Sequence, residues 1–103
     1  MKIDILGTEY DLLFCRENEM KDSDNCGECN RYTKTIKINK EYFASEDAEY
    51  SAILKTERHE IIHAFLHEAG LDCYSEDETL VDALAVLIPK MVSAFEKTME
   101  GDK

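Results

Sequence analysis

All three histidines of the chain, His59, His63 and His67, stand at intervals of four within RHEIIHAFLHEAGLDC, residues 58–73. Side chains four apart in an α-helix share a face and lie about 6 Å apart along the axis, so the spacing asks for a helix. Leu54, Ile61, Phe65 and Ala69 recur with the same period, and Gly70 follows where a left-handed helix end is favoured. Ser45 is the expected N-cap, with Glu46 and Asp47 in the first turn, giving one long helix or two broken near Tyr50. Everything else in the chain has to pack around this element.

Upstream, KIDILG (2–7) and EYDLLFCR (9–16) partly alternate apolar and polar residues around Gly7, which predicts a hairpin. Residues 17–30 are polar and rich in Asp, Asn and Gly, as a loop would be. RYTKTIKIN (31–39) alternates Tyr32, Ile36 and Ile38 with polar residues and reads as a strand at a sheet edge, its lysines protecting it. Downstream, Ser75 and Glu78 form a capping-box pattern ahead of a second helix with a buried stripe of Leu80, Leu84, Leu87, Ile88, Met91 and Phe95, kinked at Pro89. The order β, β, β, α, α predicts a single α+β domain over 1–103, a small three-stranded sheet packed on two helices.

His59-Glu60-Ile61-Ile62-His63 is an H-E-x-x-H pattern on that central helix. The two imidazoles can converge on one zinc ion, while Glu60, roughly 100° further round, reaches a water at the metal without being a ligand. A metal needs a third protein ligand, and Glu78 in the first turn of the next helix is the candidate. Asp82 lies one turn later on the same face, where it accepts the free ring N–H of a ligating histidine. His67 stands about 12 Å from His59 along the axis, too far to join both histidines on one ion with bonds of roughly 2 Å. The competing set is His63, His67 and Cys73, which leaves His59 and Glu60 without roles. A surface helix face with a salt-bridging glutamate is the plain alternative to either set.

These residues resemble a known group. HEIIHAFLH is similar to the H-E-x-x-H-x-x-L-H run of ImmA/IrrE-like zinc metallopeptidases and of small zincin-like proteins of phages and prophages. The resemblance covers roughly residues 52–95. It implies a glutamate ligand about eleven residues ahead of a proline that follows an apolar run, the layout of Glu78, ALAVLI and Pro89. The Glu78–Asp82 pair also resembles the gluzincin arrangement of a glutamate ligand and a supporting aspartate. Ile62 replaces the glycine common before the second histidine, and Thr79-Leu80 stands where Ala-Asn is usual. HAFLHEAGLDC is similar as well to the H-x-x-L-H-x-x-G-x-D-H signature of rRNA-maturation endoribonucleases, with Cys73 in place of the last histidine.

Charge weighs against a nucleic-acid ligand: 23 Asp plus Glu against 12 Lys plus Arg give a net charge of −11, which repels phosphate backbones. No apolar run is long enough for a bilayer, and the acidic MKIDILGTEYD start is unlike a secretory signal, so a cytoplasmic protein is expected. There Cys15, Cys26, Cys29 and Cys73 are thiols or metal ligands; Cys26-Gly-Glu-Cys29 is half a zinc knuckle, a redox pair, or a turn with free thiols. Tyr32, Tyr42, Tyr50 and Tyr74 offer possible oxyanion donors, with nothing to choose among them. The expectation is a minimal zincin-like fold with zinc on His59, His63 and Glu78, Glu60 as general base toward a peptide substrate, and Asp82 and His67 as supporting residues. The alternative is a non-catalytic, metal-stabilised module that binds or regulates a partner protein.

Overall fold

Two residues with positive φ, Leu6 at 52° and Gly7 at 89°, join the first two strands in a computed structural model that describes residues 1–22, 25–41 and 50–101. A two-residue loop with both φ positive matches the twist of an antiparallel pair, so β1 (Lys2–Ile5) folds back on β2 (Thr8–Cys15) with Ile5 opposite Thr8. A short 3-10 turn at Glu17–Glu19 follows.

The next strand arises where the sequence pattern predicts a loop. β3 (Gly27–Asn30) pairs antiparallel with β4 (Thr35–Asn39), and β4 runs parallel to β2. The sheet therefore has four strands in the order β1-β2-β4-β3, not three. Its second hairpin turns at Arg31–Lys34, which the alternation had placed in a strand. Asn30 Oδ1 accepts the backbone N–H groups of Tyr32 and Thr33, and Lys34 takes a φ of 57°, closing the turn locally. A further correction is that β4 is an interior strand and β3 is the edge. Ile36 and Ile38 are fully buried because β4 is flanked on both sides.

Helix α1 (Tyr50–Glu68) lies on this sheet and also packs against α2 (Asp72–Ser75) and α3 (Glu78–Gly101). Ile5, Tyr10, Leu12, Ile36 and Ile38 from the sheet and Ala64 from α1 form the core. The helix ends as expected: Gly70 has a φ of 77°, its N–H donates to the His67 carbonyl, and Leu71 N–H donates to the Leu66 carbonyl. That pair of bonds is the Schellman closure, which needs a residue content with positive φ. The expected cap at Ser45 lies outside the described residues.

The start of α3 differs from the expectation in an informative way. Asp77, not Ser75, caps it, its Oδ1 accepting Leu80 N–H at 3.1 Å. Ser75 belongs to the short helix α2 and is directed at α1 instead. The predicted stripe on α3 is not enclosed: Leu80 and Leu84 are half-buried and Leu87, Ile88, Met91 and Phe95 exposed, while the buried residues are Val81 and Ala85, which the stripe did not include. Helical period marks an apolar face but not what covers it, and among the described residues nothing covers this one beyond the first turns. Pro89 sits inside α3, and the helix continues through it to Gly101. The architecture is α+β, a mixed four-stranded sheet packed against three helices. No helix among the described residues is long and apolar enough to cross a membrane.

Candidate metal centre

Helix α1 presents His59 and His63 one turn apart toward the start of α3, and their rings meet edge to face with centroids 4.8 Å apart. The two Nε2 atoms are 3.1 Å apart. Glu78, the first residue of α3, places Oε2 2.9 Å from His59 Nε2 and Oε1 3.2 Å from His63 Nε2. Three potential ligand groups thus converge at spacings close to the edge of a tetrahedron with bonds of about 2 Å, roughly 3.3 Å.

The outer ring nitrogens decide what the inner ones are. Carboxylates flank both nitrogens of His59, Asp82 Oδ1 at 2.8 Å from Nδ1 and Glu78 Oε2 at 2.9 Å from Nε2, so with the Nδ1 proton donated to Asp82 the Nε2 lone pair is free to meet a cation shared with Glu78. His63 Nδ1 is 2.8 Å from Ser75 Oγ. Burial pushes the His63 ring toward its neutral form, against the pull of the Glu78 carboxylate. In the Nδ1–H form of both rings the centre would collect lone pairs from two nitrogens and a carboxylate with no proton between them. Such a set is repulsive by itself and suits a cation.

Glu60 lies beside this centre and is 7% exposed. Its carboxylate and the two histidines form a group of potential ligand atoms all within 4.8 Å of one another. Burial is the largest influence on Glu60 and raises its pKa to about 7, helped by the negative charges of Glu78 and Glu28 and opposed by His59. Glu78 is at hydrogen-bond range of the Nε2 atoms and mostly exposed, whereas Glu60 is buried and poised to exchange a proton near neutral pH. The two carboxylates of the site are therefore unlike, one exposed and against both histidines, the other buried with a raised pKa.

Gly27, which the sequence pattern did not single out, makes this packing possible. It pairs with Ile38, whose side chain faces the core, so Gly27 also faces α1. A Cβ there would lie 2.9 Å from Thr56 Cγ2 and 3.1 Å from both Glu60 Cγ and Oε2. Only a residue without a side chain lets the edge strand approach the Glu60 carboxylate this closely. An open cleft of about 570 Å³ follows, bounded by Gly27 and Glu28 on the strand side and by His59, His63, Glu78 and Asp82 on the helix side.

The other candidates fall elsewhere. Cys73 is exposed and is not part of the ligand group, so His63, His67 and Cys73 are not brought together as one set. Cys26 and Cys29 pack against the core, and burial pushes the Cys29 thiol up to about 12, with Glu60 and Glu68 adding to the shift. A thiol so held stays protonated and is a poor ligand or nucleophile. Tyr32, Tyr50 and Tyr74 are exposed and none lines the cleft; Tyr42 lies outside the described residues. His67 does not touch the convergence point but bonds Ser75 Oγ at 3.1 Å and Asp72 Oδ1 at 2.7 Å.

Ser75, His67 and Asp72 have the layout of a nucleophile, base and orienting carboxylate. Ser75 is 3% exposed, however, and its oxygen is also bonded to His63, so no substrate carbonyl can approach it. Comparison of the chain with family models, with curated proteins and with solved structures found no match.

Proposed function

We propose that this protein is a zinc-dependent peptidase of minimal zincin-like build, with His59, His63 and Glu78 as the metal ligands and Glu60 as the general base. The observation that carries this reading is the convergence of two Nε2 atoms and a carboxylate within 3.2 Å, next to a buried carboxyl whose pKa is about 7. It agrees with the H-E-x-x-H pattern and with the resemblance to small zinc metallopeptidases. Zinc bound by these residues supplies a Lewis acid that polarises a carbonyl and acidifies water.

The chain's own groups do the rest. Glu60 takes a proton from the attacking water and passes it to the leaving amine, work suited to a carboxyl that titrates near neutrality. Asp82 holds the His59 ring in place through Nδ1. The free edge of β3 runs along the cleft, and its backbone groups pair with an extended peptide, holding the scissile bond beside Glu60. The docking edge in this reading is β3, since β4 is an interior strand.

A second reading is a metal-stabilised binding module without catalysis. The exposed apolar face of α3 beyond Ala85 favours it, since such a face is where a partner protein docks. Glu60→Gln separates the two. If the parent cleaves an unstructured protein substrate and Glu60→Gln binds zinc but does not cleave, the peptidase reading holds. A zinc-loaded parent that leaves a broad peptide library intact supports the module.

A further inference from the structure

The third histidine has no place on the metal, yet it is held by two short hydrogen bonds. We propose that His67 is a positioning residue: Asp72, His67 and Ser75 form a one-way hydrogen-bond chain that keeps His63 protonated on Nδ1 and bare on Nε2. The consequence for metal binding rests on the zinc reading above, whereas the tautomer itself does not.

Each link follows from the donor and acceptor inventory. Arg31 Nη1 lies 2.8 Å from Asp72 Oδ1, and the His67 hydrogen bond, reinforced by the Arg31 charge, holds the Asp72 carboxyl below its ordinary range. An ionised carboxylate has no proton to give, so His67 Nδ1–H donates to Asp72 across 2.7 Å. The neutral His67 ring then has a lone pair on Nε2, and the hydroxyl of Ser75, 3.1 Å away, donates to it. A hydroxyl has one proton. Once it is committed to His67, Ser75 Oγ can only accept from His63 Nδ1, at 2.8 Å. With His67 neutral, running the chain backwards would require Asp72 to donate.

Secondary structure supplies the register. His63 and His67 are four apart on α1, Asp72 and Ser75 are three apart on α2, and both spacings put residues on one face. Ser75 is buried, which keeps water from replacing its hydroxyl in the chain. The two histidines of the metal centre are thus oriented by different means. His59 uses the exposed carboxylate of Asp82 directly, and His63 uses a buried hydroxyl whose direction is set two residues away. The layout of a nucleophilic triad serves here to aim a ring.

Removing His67 has a specific consequence. The Ser75 hydroxyl, deprived of its acceptor, turns its proton to His63 Nδ1 and moves the ring proton to Nε2, where it blocks coordination. Glutamine at position 67 has a carbonyl oxygen near the place of Nε2 and restores the acceptor.

The test is long-range ¹H–¹⁵N correlation of the metal-free, ¹⁵N-labelled protein at a pH where the rings are neutral, paired with zinc affinity from chelator competition. The parent and His67→Gln are expected to show His63 as the Nδ1–H tautomer. His67→Ala is expected to shift it to Nε2–H and weaken zinc binding by about 10–100-fold, with an unchanged far-ultraviolet dichroism spectrum. Should His67→Ala fail to fold, parent and His67→Gln spectra still decide the tautomer. An Nε2–H tautomer in the parent, or parent-like tautomer and affinity in His67→Ala, overturns the proposal. Zinc binding by a parent in the Nε2–H form refutes the chain but not the metal reading. An Nδ1–H tautomer in a parent that binds no zinc does the reverse.

Discussion

The two flanks of the His59–His63 pair differ in what holds them. One flank is enclosed: Glu60 and Ser75 are nearly inaccessible, and Gly27 lets β3 close over the Glu60 carboxylate. The other is open, with the Glu78 and Asp82 side chains 63% and 58% exposed on the first turns of α3. Burial sets protonation on the enclosed side, raising Glu60 and favouring neutral His63, while the open side supplies unburied negative charge. Substitutions on the open flank are therefore expected to change metal binding at constant stability, and those on the enclosed flank to change both.

The largest effect is expected at Glu78. Glu78→Ala removes a ligand and should weaken zinc binding on the order of 1,000-fold, more than loss of a supporting partner. Urea unfolding of the metal-free variant should stay within about 0.5 kcal/mol of the parent. A comparable loss of stability would erase the distinction between the flanks.

Next comes the pH dependence of the enclosed side. The Glu60 carboxyl has a folded-state pKa of about 7 against an ordinary 4.5, so the folded chain holds that proton more tightly than the unfolded one. Its stabilising contribution is fully present below pH 4.5 and lost as the pH rises through 7, up to about 3 kcal/mol in the metal-free protein. Unfolding free energies of parent and Glu60→Gln across pH 4–8 should diverge in that window, with the parent losing stability relative to the variant. Parallel curves would mean that Glu60 is not desolvated.

Gly27→Ala tests the same flank sterically. Its Cβ would press on Thr56 and Glu60, and the expected destabilisation is about 1–3 kcal/mol by chemical denaturation. The smallest effect is expected for Asp82→Asn, which keeps an acceptor for His59 Nδ1–H but removes its charge. Zinc affinity should fall about tenfold, the low end for a supporting partner, with a parent-like unfolding midpoint.

How much of this was legible in the sequence also divides along the two flanks. The histidine pair, Glu60 and the open flank were readable because helical period is strong: H-E-x-x-H fixes His59, Glu60 and His63 on α1, and the four-residue step from Glu78 to Asp82 puts both carboxylates on one face of α3. What encloses Glu60 was not. Gly-Glu-Cys-Asn has no alternating apolar pattern, so β3 reads as loop, and the reason for Gly27 is a contact with a helix more than twenty residues away. Ser75 satisfies the local rule for a capping box as well as Asp77 satisfies that for an N-cap. What separates them is that two histidines of another helix take up the Ser75 hydroxyl. Lys34 shows the same limit in the sheet, since alternation continues through a residue whose backbone turns left-handed.

The proposed metal site joins His59, His63 and Glu78. Its most direct test is an absorption titration of the purified, reduced, metal-free protein with cobalt(II), which reports stoichiometry and ligand chemistry together. Saturation at one equivalent is expected, with visible bands of a tetrahedral nitrogen–oxygen site, no thiolate charge-transfer band, and loss of this spectrum in His63→Ala. A thiolate band, or a spectrum that survives His63→Ala unchanged, would contradict it.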